Sequence, residues 1–224
     1  VRSCLTTTLI GMALGAAAPA FAQDATPPRI VGITPGMTGI GTPLRVADQV
    51  GLSSIDVTFS EAVTIPAGAV ALAPLGGGAA PGFTTSYNLA TNTLTIALGE
   101  PFAEGRIALV LDYAVTDLAG NALDGDIFDP SRPFFPSGDG VAGGQAVFRY
   151  SVLQGDANGN GTTDAADGQL IAAALGQCSS DTAFDARADL NRDGCVNVLD
   201  VAIWQGGLGS SLPPTDGVAP SITD

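Results

Sequence analysis

The chain has 224 residues, which corresponds to one or two domains, and its 22 acidic and eight basic residues give a formal net charge of -14. A surface of this charge repels phosphate backbones and anionic lipids, so nucleic-acid binding and a role at a membrane surface are disfavoured. Histidine is absent, which excludes Ser-His-Asp and Cys-His nucleophile pairs and histidine metal sites.

Residues 1–22 have the features of a secretory signal peptide. Arg2 precedes an apolar stretch, Leu5 to Ala18, and Ala20-Phe21-Ala22 presents small residues at the spacing that a signal peptidase requires. The stretch has about 14 residues where ~20 are needed to span a bilayer, so a membrane anchor is the less favoured alternative. We expect cleavage after Ala22, no membrane insertion, and a secreted or cell-surface protein.

Residues 27–153 are predicted to form a β-sandwich. Apolar and polar side chains alternate in four runs, and this alternation buries one face of each strand. The runs are 54–59, 93–98, 106–111 and 145–150. Turn signals rich in glycine and asparagine separate the runs at the spacing of a sandwich, and helical periodicity is absent.

Carboxylates in this region raise two further possibilities. The chain has three glutamates, Glu61, Glu100 and Glu104. A glycoside hydrolase needs two facing carboxylates, and Glu100 and Glu104 flank a turn proline where charge is usually solvated, so we expect no catalytic residues. A run of aspartates is suited to a hard cation, although a solvated loop is the favoured alternative. Its members are Asp124, Asp126 and Asp129.

A twelve-residue pattern follows the predicted sandwich, beginning at Asp156. Oxygen-bearing side chains occupy its positions 1, 3, 5, 9 and 12, and Gly161 occupies position 6. This is the spacing of a calcium loop, in which alternate side chains converge on one ion, the glycine allows a sharp turn and position 7 presents a backbone carbonyl. Position 12 is Asp167 rather than the glutamate of ordinary EF-hands.

The pattern recurs 33 residues later, from Asp189 to Asp200. A short apolar segment follows each loop and ends at a glycine, so the repeat extends beyond the loops. One such loop can be imitated by solvated turns of Asn, Asp and Gly, but two in register cannot easily arise by chance. The sequence therefore predicts two bound calcium ions.

Two motifs in the predicted sandwich, Val57 to Val63 (VTFSEAV) and Asp117 to Leu123 (DLAGNAL), resemble the bacterial Ig-like module of S-layer and other exported surface proteins. The resemblance covers residues from 28 to 123 and implies an Ig-like sandwich that serves as a spacer or adhesive module. Fold alone does not supply a function.

The paired loops resemble the type I dockerin module, because a strand-like run precedes the first loop where an EF-hand has a helix, and position 12 is Asp in both. The family is implied to fold only with calcium, to pack its two loop-helix units face to face, and to bind a cohesin domain. The predicted fold class is therefore multidomain: an all-β Ig-like sandwich followed by a small all-α calcium-binding dockerin-like domain, residues 154–210, and a flexible tail, residues 211–224.

The same resemblance implies the calcium ligands. For the first ion they are Asp156, Asn158, Asn160, the Thr162 carbonyl, Asp164 and Asp167. For the second they are Asp189, Asn191, Asp193, the Cys195 carbonyl, Asn197 and Asp200. The position 9 residues, Asp164 and Asn197, are expected to act through water. Because Asn160 is neutral where the second loop has Asp193, the first site is expected to bind more weakly.

Cohesin recognition in the family uses loop positions 10 and 11, which are Ala165 and Ala166 in one half but Val198 and Leu199 in the other. This asymmetry predicts a single docking orientation. The apolar stripes of the two helices are interpreted as internal packing, with Trp204 as a possible docking anchor. Their members are Leu170, Ile171, Ala174, Leu175, Ile203, Trp204 and Leu208.

Cysteine usage fits an oxidising compartment. Cys4 leaves with the predicted signal peptide, so the mature chain keeps Cys178 and Cys195. We predict a disulfide between them, with two buried free thiols as the alternative.

Three functions follow from these patterns. The favoured one is an exported, non-catalytic protein whose dockerin-like module binds a cohesin-type partner. The second is an accessory component of polysaccharide binding or breakdown, although the sandwich offers no obvious aromatic platform. The third is a purely structural, calcium-stabilised surface protein.

Overall fold

The computed structural model describes residues 24–35, 44–46, 51–76, 79–127 and 135–213. The predicted signal peptide, Asp129 and residues 214–224 of the predicted tail lie outside these ranges. Within the described ranges, the helices lack the length and apolar character needed to cross a bilayer.

The described residues contain strands in the N-terminal region and two helices near the C-terminus. The strands are β1 (Ile30–Thr34), β2 (Leu44–Val46), β3 (Leu52–Phe59), β4 (Val63–Thr64), β5 (Val70–Pro74), β6 (Phe83–Asn88), β7 (Thr93–Phe102), β8 (Gly105–Leu111), β9 (Thr116–Asp117) and β10 (Ala146–Val152). The helices are α1 (Ala165–Ala174) and α2 (Val198–Gly207). This order confirms the predicted fold class.

Two four-stranded sheets form the sandwich. One has the order β1-β3-β7-β6 and the other the order β2-β10-β8-β5. Neighbouring strands are antiparallel except β2 and β10, which run parallel. Strands β4 and β9 form a small two-stranded sheet of their own.

The core lies between the inner faces of the two sheets. In the first sheet, Ile55 is paired with Ile96, and in the second, Leu109 is paired with Phe148. These four side chains are at most 2% exposed. The predicted alternation is therefore confirmed in β3 and β7, because apolar side chains on the inner face leave the solvated face to polar ones.

The segment after Leu123 is anchored to the sandwich through Asp124. The Asp124 side chain is fully buried and accepts hydrogen bonds from the backbone N–H groups of Asp139 (3.0 Å) and Gly140 (2.9 Å). The guanidinium of Arg29 lies 3.5 Å away. Asp124 is thus a buried structural anchor, whereas the sequence favoured a solvated loop.

The two helices begin and end in the same way. Asp164 caps α1 and Asn197 caps α2, each within a capping box that includes the aspartate three residues later. Each helix is followed by a leucine and then by a glycine with positive φ, 85° at Gly176 and 90° at Gly209. The glycines permit the left-handed conformation that commonly ends a helix, as the repeat predicted.

A small apolar core joins the helices to the segments between them. Its buried members are Ala157, Ile171, Ala174, Ala188, Leu190, Val196 and Ile203. Cys178 and Cys195 form a disulfide, which confirms the predicted pairing and excludes the free-thiol alternative. With so few large side chains in this core, the covalent link is a substantial part of its stability.

Candidate metal centre

The first loop is wrapped around the carboxylate of Asp156, which is 1% exposed. Its Oδ1 atom accepts hydrogen bonds from the N–H groups of Gly159 (2.8 Å) and Asn160 (3.1 Å), and its Oδ2 atom accepts one from Gly161 (2.9 Å). The φ of Gly161 is 86°, so the sharp turn predicted at position 6 is present.

Asp167 closes the other end of this loop and is fully buried. Its two carboxylate oxygens accept hydrogen bonds from the N–H groups of Asn158 (2.9 Å) and Asp164 (2.8 Å). Between these ends, the side-chain oxygen of Asn158 accepts from the Asn160 N–H (2.9 Å), and that of Asn160 accepts from the Thr162 N–H (2.8 Å). The predicted side chains therefore lie on a single closed loop.

The second loop repeats this network. Asp189 accepts hydrogen bonds from the N–H groups of Asp193 (3.2 Å) and Gly194 (2.9 Å). Asp200, fully buried like its counterpart, accepts from the N–H groups of Asn191 (3.2 Å) and Asn197 (2.8 Å). Corresponding residues thus make corresponding contacts in the two halves of the repeat.

Side-chain hydrogen bonds around Asp193 distinguish the second loop. Its Oδ2 accepts from the amide groups of Asn191 (2.9 Å) and Asn197 (3.1 Å), and the Cys195 carbonyl accepts from Asn197 (3.3 Å). The hydrogen bond from Asn191 is the main cause that holds the pKa of Asp193 below its usual value. At Asp189, burial and then the negative charge of Asp200 raise the pKa.

The donor set of each loop suits a hard cation. Positions 1, 3, 5, 9 and 12 all end in carboxylate or amide oxygens, the ligands that calcium takes in groups of roughly six to eight. Asp156, Asp167 and Asp200 are at most 1% exposed, and burial of a charge is costly unless an opposite charge compensates it. The residues present therefore fit a calcium ion in each loop.

Two other groups of carboxylates occur in the described part of the sandwich. They are Asp24, Glu61 and Asp117, and Asp124, Asp126 and Asp139. In each group the buried member already binds its own loop: Asp117 accepts from the N–H groups of Ala119 (2.9 Å) and Asn121 (2.7 Å), as Asp124 does from its own loop. These groups therefore act as loop anchors, and we assign no metal to them.

Loop positions 10 and 11 lie on the surface in both halves. Val198 is 74% exposed and Leu199 is 55% exposed, although both are apolar, and Ala165 and Ala166 are exposed as well. The two halves of the repeat therefore present apolar surface patches of different size, the larger at Val198 and Leu199 and the smaller at Ala165 and Ala166.

The helix stripes are internal, as predicted, for five of their seven members. Ile171, Ala174 and Ile203 are buried, and Leu170 and Trp204 pack against them. Leu175 (49% exposed) and Leu208 (55% exposed) differ because each follows the last helical residue and points away from the core.

Trp204 is part of the internal packing. Its indole N–H donates to the carbonyl of Asp164 at 2.8 Å. Its ring lies against Gly168, where an added Cβ would be 2.9 Å from Trp204 Cε2. Only a glycine in α1 leaves room for this ring.

A segment that sequence reasoning did not assign to the site contacts the first loop. The N–H of Leu212 donates to the carbonyl of Gly161 at 2.8 Å, and Leu212 is 8% exposed. This pairing lies two residues beyond the predicted boundary of the module. A single apolar residue between serine and proline is its only signal in the sequence.

Comparison with known protein families finds a separate match for the sandwich and for the paired loops. Residues 154–205 match the model of the type I dockerin domain, and residues 24–128 match that of a bacterial Ig-like domain. No curated protein gave a significant match.

Two similar solved structures are interface mutants of a type II cohesin–X-dockerin complex from Acetivibrio cellulolyticus. The C-terminal interface mutant is 14% identical with a TM-score of 0.27, and the N-terminal interface mutant is 15% identical with a TM-score of 0.26. Each match covers 66% of this chain and 90% of the other. These TM-scores are too low to establish a shared arrangement of domains.

The sandwich geometry, the duplicated loops and the matches to the two domain models lead to one conclusion. The chain contains a bacterial Ig-like domain at residues 24–128 and a type I dockerin domain, a calcium-binding and cohesin-binding module, at residues 154–205.

Proposed function

We propose that the chain is an exported, non-catalytic protein that binds two calcium ions and docks onto a cohesin-type partner, with the Ig-like domain as a spacer or adhesive module. The observation that carries this proposal is the duplicated hydrogen-bond network of the two loops. Dockerin and Ig-like domains are non-catalytic modules, and proteins with dockerin domains are typically extracellular or at the cell surface.

Each calcium ion would be held by the side chains at loop positions 1, 3, 5 and 12 and by the carbonyl at position 7. These groups are Asp156, Asn158, Asn160, Thr162 and Asp167, and Asp189, Asn191, Asp193, Cys195 and Asp200. Asp164 and Asn197 cap the helices and would act through water. The bound ion would place positive charge beside the buried aspartates.

The docking surface of this proposal is the exposed pair Val198 and Leu199 at the start of α2. Exposed apolar side chains lose unfavourable contact with water when a partner covers them. Ala165 and Ala166 offer much less apolar area at the equivalent place. A partner that prefers the larger patch would bind in a single orientation.

Calcium titration of the chelator-treated full chain, followed by isothermal calorimetry and helical circular dichroism, tests the metal sites. We expect two ions per chain, and we expect Asp156→Ala and Asp189→Ala each to remove one. Asp185→Ala is the matched control, because Asp185 carries the same charge between the loops but pairs with Arg187 at 2.7 Å. A wild-type chain that binds no calcium would overturn the proposal.

A panel of purified type I cohesin domains tests the docking role. We expect binding in calcium and none in chelator, with Val198→Ser plus Leu199→Ser weakening it by at least tenfold, about 1.4 kcal/mol. Ala165→Ser plus Ala166→Ser is the matched pair and should change affinity little. Equal losses from both pairs would contradict the single orientation, and no binding to any cohesin would contradict docking.

The accessory role in polysaccharide binding stays a prediction. Co-sedimentation of the full chain with cellulose, xylan or chitin addresses it, because cohesin docking does not require binding to any of these.

N-terminal sequencing of the secreted protein addresses export, where the expected first residue is Gln23.

A further inference from the structure

The Ig-like domain reaches the first calcium loop through three residues. Strand β10 ends immediately before Leu153, and the loop begins at Asp156. Leu153 is 2% exposed. The side chain of Gln154 donates to the carbonyl of Ile203 (3.2 Å), and the backbone carbonyl of Gln154 accepts from the Thr163 hydroxyl (2.7 Å). The junction is therefore itself packed into the dockerin domain.

The second loop is held by the segment that follows α1. The N–H groups of Ser179 and Gly176 donate to the carbonyls of Gly194 (2.7 Å) and Val196 (2.8 Å). The N–H of Val196 in turn donates to the carbonyl of Gln177 (2.8 Å). In the middle of this pairing, the disulfide joins the two strands covalently.

The first loop is held in the equivalent way by the segment that follows α2. The N–H groups of Leu212 and Gly209 donate to the carbonyls of Gly161 (2.8 Å) and Thr163 (2.9 Å), and the N–H of Thr163 donates to the carbonyl of Ser210 (2.9 Å). Every one of these residues lies 33 positions from its counterpart in the other pairing.

The equivalents of the two cysteines are Thr162 and Ser211, which form an antiparallel β-bridge through their backbones but have no disulfide between their side chains. An arginine of the Ig-like domain lies at this place instead. Arg106, in β8, donates from Nη1 to the carbonyl of Pro213. Its Nη2 atom lies against Gly161, only 2.6 Å from where a Cβ of that residue would be.

We propose that Arg106 is a positioning residue for the first calcium site and does for that loop what the disulfide does for the second. One guanidinium contacts both strands of the pairing, the loop at Gly161 and the C-terminal segment at Pro213. The Ig-like domain is then a structural part of the first site. This inference rests on the proposed calcium function of the loops.

Geometry rather than charge carries the effect. A planar guanidinium reaches two groups at once, whereas a lysine ammonium is a single point charge. The positive charge of Arg106 by itself opposes a nearby cation. Arg106→Lys therefore keeps the charge and removes the two-sided contact.

The test is a calcium titration of the full chain observed by NMR, with the amide signals of Gly161 and Gly194 as separate reporters. Their N–H groups donate to Asp156 and Asp189 at 2.9 Å in both loops, so each reports its own site. We expect Arg106→Lys to weaken the first site about fivefold, the size of the net contribution of one typical hydrogen bond, and to leave the second unchanged.

Arg187→Lys is the matched control, because Arg187 is exposed and pairs locally with Asp185. We also expect Thr162→Cys with Ser211→Cys, which places a disulfide at the equivalent position, to restore the first site in the Arg106→Lys background. A merely structural role of Arg106 in the sandwich would not be rescued there.

Unchanged affinity at Gly161 in Arg106→Lys, with both loops still binding calcium, would overturn this inference alone. Equal weakening of both sites would also overturn it, because the contact involves the first loop. Absence of calcium binding in the wild-type chain would instead overturn the proposed function.

Discussion

Among the side chains expected to bind calcium directly, those at position 5 differ in charge between the loops, with Asn160 in the first and Asp193 in the second. Position 9, expected to act through water, differs in the opposite sense, with Asp164 and Asn197. We expect Asn160→Asp to raise calcium affinity at the first site about fivefold, because one added negative charge near a cation is worth about 1 kcal/mol in a solvated environment. Isothermal calorimetry of the full chain measures this change.

The reciprocal control is Asp193→Asn, which should weaken the second site by a similar factor. The oxygen that accepts the Thr162 N–H is kept in Asn160→Asp, so the loop geometry is retained. A first site that is unchanged or weakened in Asn160→Asp would contradict the charge argument.

Trp204 connects α2 to the first loop through its indole N–H. We expect Trp204→Phe to lower the free energy of unfolding of the dockerin domain by about 1 kcal/mol, because the ring still covers Gly168 but the bond to the Asp164 carbonyl is lost. Urea unfolding in saturating calcium, followed by circular dichroism, gives the value. Wild-type stability in this variant would mean that the hydrogen bond contributes nothing.

Residue types and spacing predicted the turn at position 6 of each loop, and the binding of calcium by the loop side chains stays a prediction. Gly161 and Gly194 turn the chain with positive φ at position 6, as expected. The backbone N–H groups that positions 1 and 12 accept were not predicted from the spacing. The role of Arg106 could not be predicted, because an arginine in a strand gives no sign of which distant carbonyl it will meet.

At the scale of elements, the disulfide between Cys178 and Cys195 stabilises the segment after α1 and the second loop. We expect Cys178→Ala with Cys195→Ala to cost about 3 kcal/mol, because the link removes chain entropy from the unfolded state for a ring of this size. Urea unfolding of the two proteins in saturating calcium measures the difference. The same stability for oxidised and reduced wild-type protein would contradict this expectation.

Strand prediction succeeded where one face is buried and failed at the sheet edges. β3 and β7 are central strands, so their inner faces are apolar and alternation is clear. β6 is an edge strand in which Thr84, Thr85 and Ser86 are all exposed, so its pattern is weak. β5 is also an edge strand and reads as a short apolar run that ends in proline.

In β8 the predicted alternation is wrong. Ile107 to Leu111 are all buried, including Ala108 and Val110 on the face that alternation assigns to solvent. β8 lies between β5 and β10, and a strand buried on both faces reads as a continuous apolar run.

The molecule as a whole combines a calcium-binding dockerin domain, which has a small apolar core, with an Ig-like domain, which has a large one. We expect chelator to lower the unfolding temperature of the dockerin domain by more than 10 °C, roughly the effect of losing several kcal/mol from a small domain, and to leave the Ig-like domain nearly unchanged. Differential scanning calorimetry of the full chain measures both transitions. An equal shift of both would contradict the prediction.

The division into two domains was visible in the sequence because periodicity changes from two to a loop-helix repeat. The joint between them was not, because it depends on contacts between residues far apart in the chain, such as Arg106 and Pro213. Local patterns indicate which face of an element is buried, but they do not indicate which distant residues pack against its end.

The short junction at residues 153–155 also has a mechanical consequence. A partner that pulls on the dockerin domain would apply its force directly to β10, with no slack to be drawn out first. β10 is paired with β8 at seven positions, from Ala146 opposite Leu111 to Val152 opposite Gly105. Tension would therefore be shared along this whole ladder and would pass into the sheet that contains β10 and β8.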